Sequence, residues 1–333
     1  MVPTPRFRAF LNQWHGVAFR RMADDRVSPD RIRAHFDGPV SVTPLTDSVY
    51  EVTDPEGSNR RYAKVWRESK RQLLEELSEI DADIGMPKHR LIRNSRWILV
   101  MEPAAGQPLS RLLLKLLLPG IWRTHRERLV EAFENLGRTV GRLHAETLSG
   151  TTRLDPRERD LSFDFYGAIQ GGAVASPVRR ILDTDVIEAL EQRLDRCSAC
   201  VPVAINHGDL MLFHVYVAGA DVTLIDFDAL KRVGVVDDPV RLICALELFV
   251  RRLPYARQAQ FHRLRTAFED GYDRAGPDLD VSPETWATLR AVRHCSLLMY
   301  YFDVLADDPS VRLRVLRQID ARLLNRAVTD LVT

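Results

Sequence analysis

Two aspartates seventeen residues apart, Asp209 and Asp226, mark the stretch of this 333-residue chain best equipped for chemistry. It runs from Ile205 to Leu230 and reads INHGDLMLFHVYVAGADVTLIDFDAL. Asp209 closes His207-Gly208-Asp209, a polar side chain (His214) follows five residues later, and Asp226 stands in an Asp-Phe pair. Between the aspartates, HVYV and VTLID flank Gly219-Ala220-Asp221, the pattern of two short strands joined by a tight turn. A hairpin there brings both carboxylates to one edge. Phosphoryl transfer needs that arrangement: one carboxylate orients an acceptor hydroxyl, and another holds a metal bridging the phosphates. His214 reads two ways, as a second metal ligand or as a core histidine heading the strand His214–Val217. His207 suits packing of the loop rather than chemistry. Asp238-Pro239 reads as a helix N-cap with proline at the first helical position, able to hydrogen-bond the loop.

Those residues need a frame. Short β-branched and aromatic runs at 40–43, 48–52 and 61–66 predict strands, the last two joined by a hairpin turn across Asp54-Pro55-Glu56-Gly57-Ser58-Asn59. Leu73, Leu77, Ile80 and Ile84 recur at spacings of 4, 3 and 4, one face of a helix. Strands are expected again at 90–92 and 97–101. From about residue 105 the pattern is mostly helical, apart from a strand-rich interval at 201–228. Residues 5–36 read as one or two helices, restarted at Ser28-Pro29-Asp30. The layout is α+β: a helical extension (1–36), a small β-rich lobe (37–104) and a larger, mostly helical lobe (105–333).

In these motifs the chain resembles the kinase-like phosphotransferase superfamily over roughly residues 40–250. The likeness is to its aminoglycoside-phosphotransferase and lipopolysaccharide (heptose/Kdo) kinase branches. Their catalytic loop has the form H-G-D-x4-N or H-x-D-x4-H, here His207 to His214, and their metal loop corresponds to Ile225-Asp226-Phe227-Asp228. The resemblance implies a two-lobed protein-kinase-like fold with ATP between the lobes and Mg²⁺ or Mn²⁺ as the metal. It makes Asp209 the catalytic residue aligning the acceptor hydroxyl, and His214 and Asp226 the metal ligands. Lys64, in AKVW, would contact the α/β-phosphates. Its implied partner is Glu76, which lies beside the Leu73/Leu77/Ile80 stripe, whereas Glu75 points a quarter turn away. Adenine would lie against Met101–Ala104, with Met101 and Glu102 in the gripping segment. Leu136 to Thr147, LGRTVGRLHAET, resembles the long helix before the catalytic loop.

Three positions depart from the family pattern. The loop Thr43–Ser48 contains no glycine, the residue that lets backbone N–H groups approach phosphate; the Thr46 and Ser48 hydroxyls are the candidates to replace it. His214 stands where asparagine is common, and imidazole suits softer divalent ions than Mg²⁺. Asp228 replaces the glycine of DFG, as in the small-molecule branches. Together with the basic amphipathic stretch 109–122, the resemblance favours a saccharide of an envelope glycolipid as acceptor. An aminoglycoside or another small alcohol or amine is the alternative, and a nucleotide-binding pseudokinase acting as a scaffold is a third reading.

Bulk properties narrow the partners. With 47 basic and 46 acidic residues there is no basic excess of the kind nucleic-acid binders carry. Cys197 and Cys200 form a CxxC pair with no second pair or nearby histidine, so the four cysteines read as reduced thiols. That suits a cytoplasmic location, and the opening residues hold no apolar signal core. The stretch PLSRLLLKLLLPGIW carries Arg111 and Lys115 and is broken at Pro119-Gly120, too short to span a bilayer. It predicts a buried helix; the alternative is an interfacial helix giving peripheral contact with the inner face of a membrane. Residues 148–180 belong to the acceptor side and carry no readable specificity, and nothing in the sequence sets the oligomeric state.

Overall fold

Strand alternation sorts the first β residues between two faces, and that sorting aims Lys64. The computed structural model describes residues 27–332, except 47, 67–69, 81–82, 88, 94–96, 116–120, 156–168, 171–172, 252–254 and 304–310. Most of the predicted N-terminal extension, residues 1–26, therefore lies outside the described residues. Helix α1 (Pro29–Arg33) starts where the sequence places a restart, with Ser28 Oγ accepting from the Arg31 N–H at 3.4 Å. Strands β1 (Ser41–Pro44), β2 (Val49–Thr53), β3 (Arg60–Trp66), β4 (His89–Arg93) and β5 (Trp97–Met101) form an antiparallel sheet ordered β1-β2-β3-β5-β4. Ala63 lies opposite both Tyr50 and Val100. With Val52 and Ile98, these residues pack on Val27 and Ile32. One residue along, Lys64 and its neighbour Leu99 turn to the opposite face.

Helix α2 (Arg71–Glu79) covers that opposite face with Leu74 and Leu77, while Leu73 and Ile80 flank the contact. The helix stops at Glu79, so Ile84, predicted on its stripe, is buried in the connection beyond it. The chain continues through β6 (Gln107–Pro108), α3 (Leu109–Lys115), α4 (Ile121–Glu146), β7 (Gly150–Leu154), β8 (Ile169–Gln170), β9 (Ala173–Val174), α5 (Ser176–Arg179) and α6 (Thr184–Arg196). Then follow β10 (Ala199–Asn206), β11 (Val215–Ala218), β12 (Asp221–Leu224), β13 (Lys231–Gly234), α7 (Asp237–Arg251), α8 (Tyr255–Ala275), α9 (Pro283–Asp303) and α10 (Val311–Val332).

Leu109 and Leu113 of α3 are fully buried in the main core, so these apolar residues face protein, as the buried-helix reading expects. The side chains of 114–122 lie outside the described residues. Helix α4 presents Phe133, Leu136, Val140 and Leu143 to Leu210, Leu212, Val215, Val217, Leu224 and Phe227. Each such buried side chain contributes roughly 1.5–3 kcal/mol, which mounts the chemistry-bearing hairpin firmly on the helix. Helices α4 and α8 touch backbone to backbone: a Cβ at Gly137 would meet the Phe268 carbonyl at 2.0 Å, and one at Gly271 the Glu134 carbonyl at 2.0 Å. A second cluster unites α6, α7, α9 and α10. Among the described residues, no helix is long and apolar enough to cross a membrane.

Candidate active site

The site is assembled from the loop outward. Strand β10 ends at Asn206, whose amide donates to the Ala204 and Val233 carbonyls, both at 3.1 Å, and so pins β10 to β13. Gly208 then turns the chain at φ +77°, where a Cβ would lie 2.0 Å from the Ala229 carbonyl oxygen. Glycine alone fits there. The buried Asp238 carboxylate accepts from the His207 N–H at 2.6 Å and the Gly208 N–H at 2.9 Å. Burial pushes this carboxyl up, but His144 at 3.5 Å, His207 and the Gly208 N–H outweigh it and hold it below the ordinary range. The Tyr272 hydroxyl meets the far nitrogen of His144, Nδ1, at 2.7 Å. Helix α7 starts at Asp237, one residue before the predicted cap position.

His207 is buried and donates from Nε2 to the Ile225 carbonyl at 2.8 Å, while its Nδ1 accepts the Asp209 N–H at 3.3 Å. One donor and one acceptor fix a neutral ring, and burial pushes its pKa down. Its part is to shape the loop. Strands β11 and β12 form the expected hairpin, with Ala218 opposite Asp221 and Gly219 at φ +71°. His214 immediately precedes β11. Its Nδ1 donates to the Asp209 main-chain carbonyl at 2.7 Å and lies 3.7 Å from the Asp209 carboxylate. Its Nε2 is 3.3 Å from Asp226 Oδ2.

With Nδ1–H committed to a carbonyl, Nε2 is the nitrogen left to carry a shared proton or to offer a lone pair. Burial pulls the His214 pKa down, yet the neighbouring Asp226 and Asp209 raise it overall. Asp226 adopts φ 66°, ψ 57°, the sole positive-φ residue other than glycine among the described residues. Such a conformation costs on the order of 1–3 kcal/mol and persists where the surroundings over-determine it. Burial pushes the Asp226 carboxyl up, but His214 and Lys64 hold it well below the ordinary range. Lys64 Nζ lies 2.5 Å from Asp226 and 2.8 Å from Asp228. Burial pulls the ammonium pKa down, and Asp228 and then Asp226 raise it overall, so the group is charged. Asp209 is the open acid of the set, with its side chain 42% exposed.

Two expectations are corrected. Glu76 does not pair with Lys64: its carboxylate binds Arg232 of β13, whose other nitrogen donates to the Thr147 carbonyl at 3.0 Å. The physical reason is competition, because the two aspartates of the metal loop draw the ammonium toward themselves. Glu75 pairs with Arg71 at 3.4 Å, and its side chain is as exposed as that of Glu76, 40% against 39%. Thr46 and Ser48 do not form an open phosphate cradle. The Leu45 and Thr46 N–H groups donate to the Val49 carbonyl, and those of Ser48 and Val49 to Thr46 Oγ1. Ser48 Oγ is sealed from solvent and has no hydrogen-bond partner among the described residues. The backbone amides of the turn are taken up within it; its Asp47 lies outside the described residues. Met101 ends β5 opposite Tyr62 and His89, half-buried against the main core, and Glu102 is exposed at the start of the segment after it.

Sequence reasoning missed two participants: Asp228 was noted but not paired with the lysine, and Arg232 carried no local signal. Burial first, and Tyr62 second, push up the phenol of Tyr216, two residues past His214. Elsewhere, Cys244, Glu247 and His294 bring metal-binding atoms within 4.8 Å of one another. Arg290 donates to both Glu247 oxygens and His294 Nε2 lies 3.2 Å from one of them. That group is an ion-pair cluster.

A five-stranded antiparallel sheet beside a helical lobe, with a lysine of the sheet paired to Asp226 and Asp228 and with His214 linking Asp226 to Asp209, is the layout of the kinase-like phosphotransferases. Residues 45–274 match the Phosphotransferase enzyme family, and the chain belongs to it. Among solved structures, a glucosamine kinase superposes with a TM-score of 0.61 at 14% identity, covering 89% of this chain and 79% of that one. An amicoumacin kinase in complex with AMP-PNP, Ca²⁺ and Ami gives 0.53 at 16%, covering 90% and 96%. A choline/ethanolamine kinase family protein from Mesorhizobium loti gives 0.52 at 11%, covering 90% and 94%. At these identities the likeness is one of fold. No curated protein sequence matches the chain.

Proposed function

We propose that this phosphotransferase moves the γ-phosphoryl group of ATP to a hydroxyl of a small saccharide-like acceptor. The observation that carries the reading is the chain of contacts of 2.5–3.7 Å that links Lys64, Asp226, His214 and Asp209 in one cluster. Lys64 is charged and contacts the phosphates. Asp226 and Nε2 of His214 face each other at 3.3 Å; with Nε2 deprotonated, this donor set would fit Mg²⁺ or, given the imidazole, Mn²⁺. The bound ion would neutralise phosphate charge. Asp209, reachable from solvent, accepts a hydrogen bond from the acceptor hydroxyl and aligns it in line with the γ-phosphorus. Such reactions pass through a loose transition state, so positioning and electrostatics carry the rate.

A glucosamine kinase and an amicoumacin kinase bound to AMP-PNP among the fold neighbours support ATP with a small polar acceptor. The glycolipid version of the acceptor loses the support of Leu109 and Leu113, which are committed to the core. The four free cysteines suit a reducing compartment such as the cytoplasm. The test is γ-labelled ATP with Mg²⁺ or Mn²⁺ and, separately, amino sugars, aminoglycosides, a glycolipid extract and a generic protein. Label on a sugar hydroxyl supports the proposal. Nucleotide binding with no transfer to any acceptor, alongside an unreactive Asp209→Asn control, supports the pseudokinase reading instead.

A further inference from the structure

We propose that Asp228, and not an acid on α2, is the carboxylate that orients Lys64; this deepens the nucleotide reading of the site and rests on it. A lysine is a point charge on a flexible four-carbon stem and needs a partner to hold its ammonium in place. Among the described residues, three carboxylates are candidates. Asp226, at 2.5 Å, shares its other oxygen with His214 at 3.3 Å, and these two are the metal-binding pair. Glu76 is bound by Arg232, and the Thr147 carbonyl fixes that guanidinium from a second direction. Asp228 lies 2.8 Å from the ammonium. It sits in a 3-10 turn, Phe227–Ala229, anchored by the fully buried Phe227, so its reach to Lys64 does not depend on the position of α2. Metal carboxylate and lysine-orienting carboxylate thus come from one segment, two residues apart. The Glu76–Arg232 pair does a separate job, tying α2 to β13.

The test is thermal unfolding without nucleotide of K64M, D228N, E76Q, R232Q and their pairs, with kinetics on the single variants. Contacting residues give non-additive shifts, distant ones additive shifts. The melting-temperature losses of K64M and D228N should sum to more than the loss of the double variant. Without the lysine, Asp226 and Asp228 repel each other, and D228N relieves that. K64M with E76Q should be additive, and E76Q with R232Q non-additive. In turnover, D228N should raise the KM for ATP at least tenfold more than E76Q does, and D228E should restore most of the loss. K64R provides a second cycle if K64M does not fold. Additive 64/228 shifts with coupled 64/76 shifts, or a KM increase in E76Q equal to that of D228N, would overturn the proposal. Coupling between 64 and 228 in a protein that turns over no nucleotide would instead sink the nucleotide reading and leave the pairing standing.

Discussion

Replacing Asp238 with Asn tests what holds the catalytic loop. The carboxylate is buried and accepts two backbone N–H groups, from His207 at 2.6 Å and Gly208 at 2.9 Å. An asparagine keeps one oxygen and turns an NH₂ donor toward the second backbone donor. One buried N–H is then left without an acceptor, at a cost of about 1–3 kcal/mol, and the remaining bond loses its charge assistance, about 1 kcal/mol more. Relief from burying a charge offsets part of this, leaving about 1–3 kcal/mol. For a chain of this size that is a fall in Tm of roughly 1.5–4 °C. Because the two N–H groups flank Asp209 on its N-terminal side, kcat should fall at least tenfold while nucleotide affinity changes little. Differential scanning calorimetry and steady-state kinetics read both. A Tm within a degree of the parent, with kcat intact, would show that the carboxylate is not what shapes the loop.

Asp209→Asn should fold, bind ATP and lose on the order of 10² or more in turnover, measured with the labelled-acceptor assay. His214→Asn, which swaps an imidazole for an amide oxygen, should shift the activity optimum from Mn²⁺ toward Mg²⁺; an unchanged metal profile would make the ring a packing residue. Glu247 supplies a pH test. Burial pushes its carboxyl up, but His294 and Arg290 hold it at about 2 against an ordinary 4.5. A depressed folded-state pKa gives stability that is present above pH 4.5 and lost as pH falls toward 2, on the order of 3 kcal/mol in full. Urea unfolding at pH 5 and pH 3 should show the loss, and Glu247→Gln should flatten that part of the pH dependence.

What the sequence made legible was local. The β11–β12 hairpin, the sheet strands and the restart at Ser28 are written in alternation, turn residues and caps, which act within a few positions. The spacing that makes Asp209, His214 and Asp226 candidates is local in the same sense, and the hairpin brings the three together. The partner of Glu76 was not predictable, because the choice between Lys64 and Arg232 is settled by Asp226 and Asp228, about 150 residues away. Thr46 failed differently. A threonine hydroxyl beside backbone amides can bind a ligand or close its own turn, and here the nearest amides take it. Gly137 and Gly271 left no trace, since a close crossing of two helices depends on how they meet and not on either sequence alone.

That crossing has a consequence for how the enzyme tolerates change. Gly271 is adjacent to Tyr272, and Gly137 lies two turns before His144 on the facing helix. The ruler that sets the tyrosine-to-histidine distance is therefore the thickness of one main-chain contact. A methyl group at either glycine, inserted where a Cβ finds a carbonyl oxygen at 2.0 Å, wedges the helices apart. It draws Tyr272 off His144, and the disturbance passes through Asp238 to the loop bearing Asp209 without a single active-site side chain being altered. The seam behaves as a stiff lever with its short arm at the chemistry. Substitutions scattered over the exposed β1 edge are absorbed by solvent, while the smallest one along the seam reaches the reacting atoms. Drift in this chain is thus constrained along the seam as well as at the site itself.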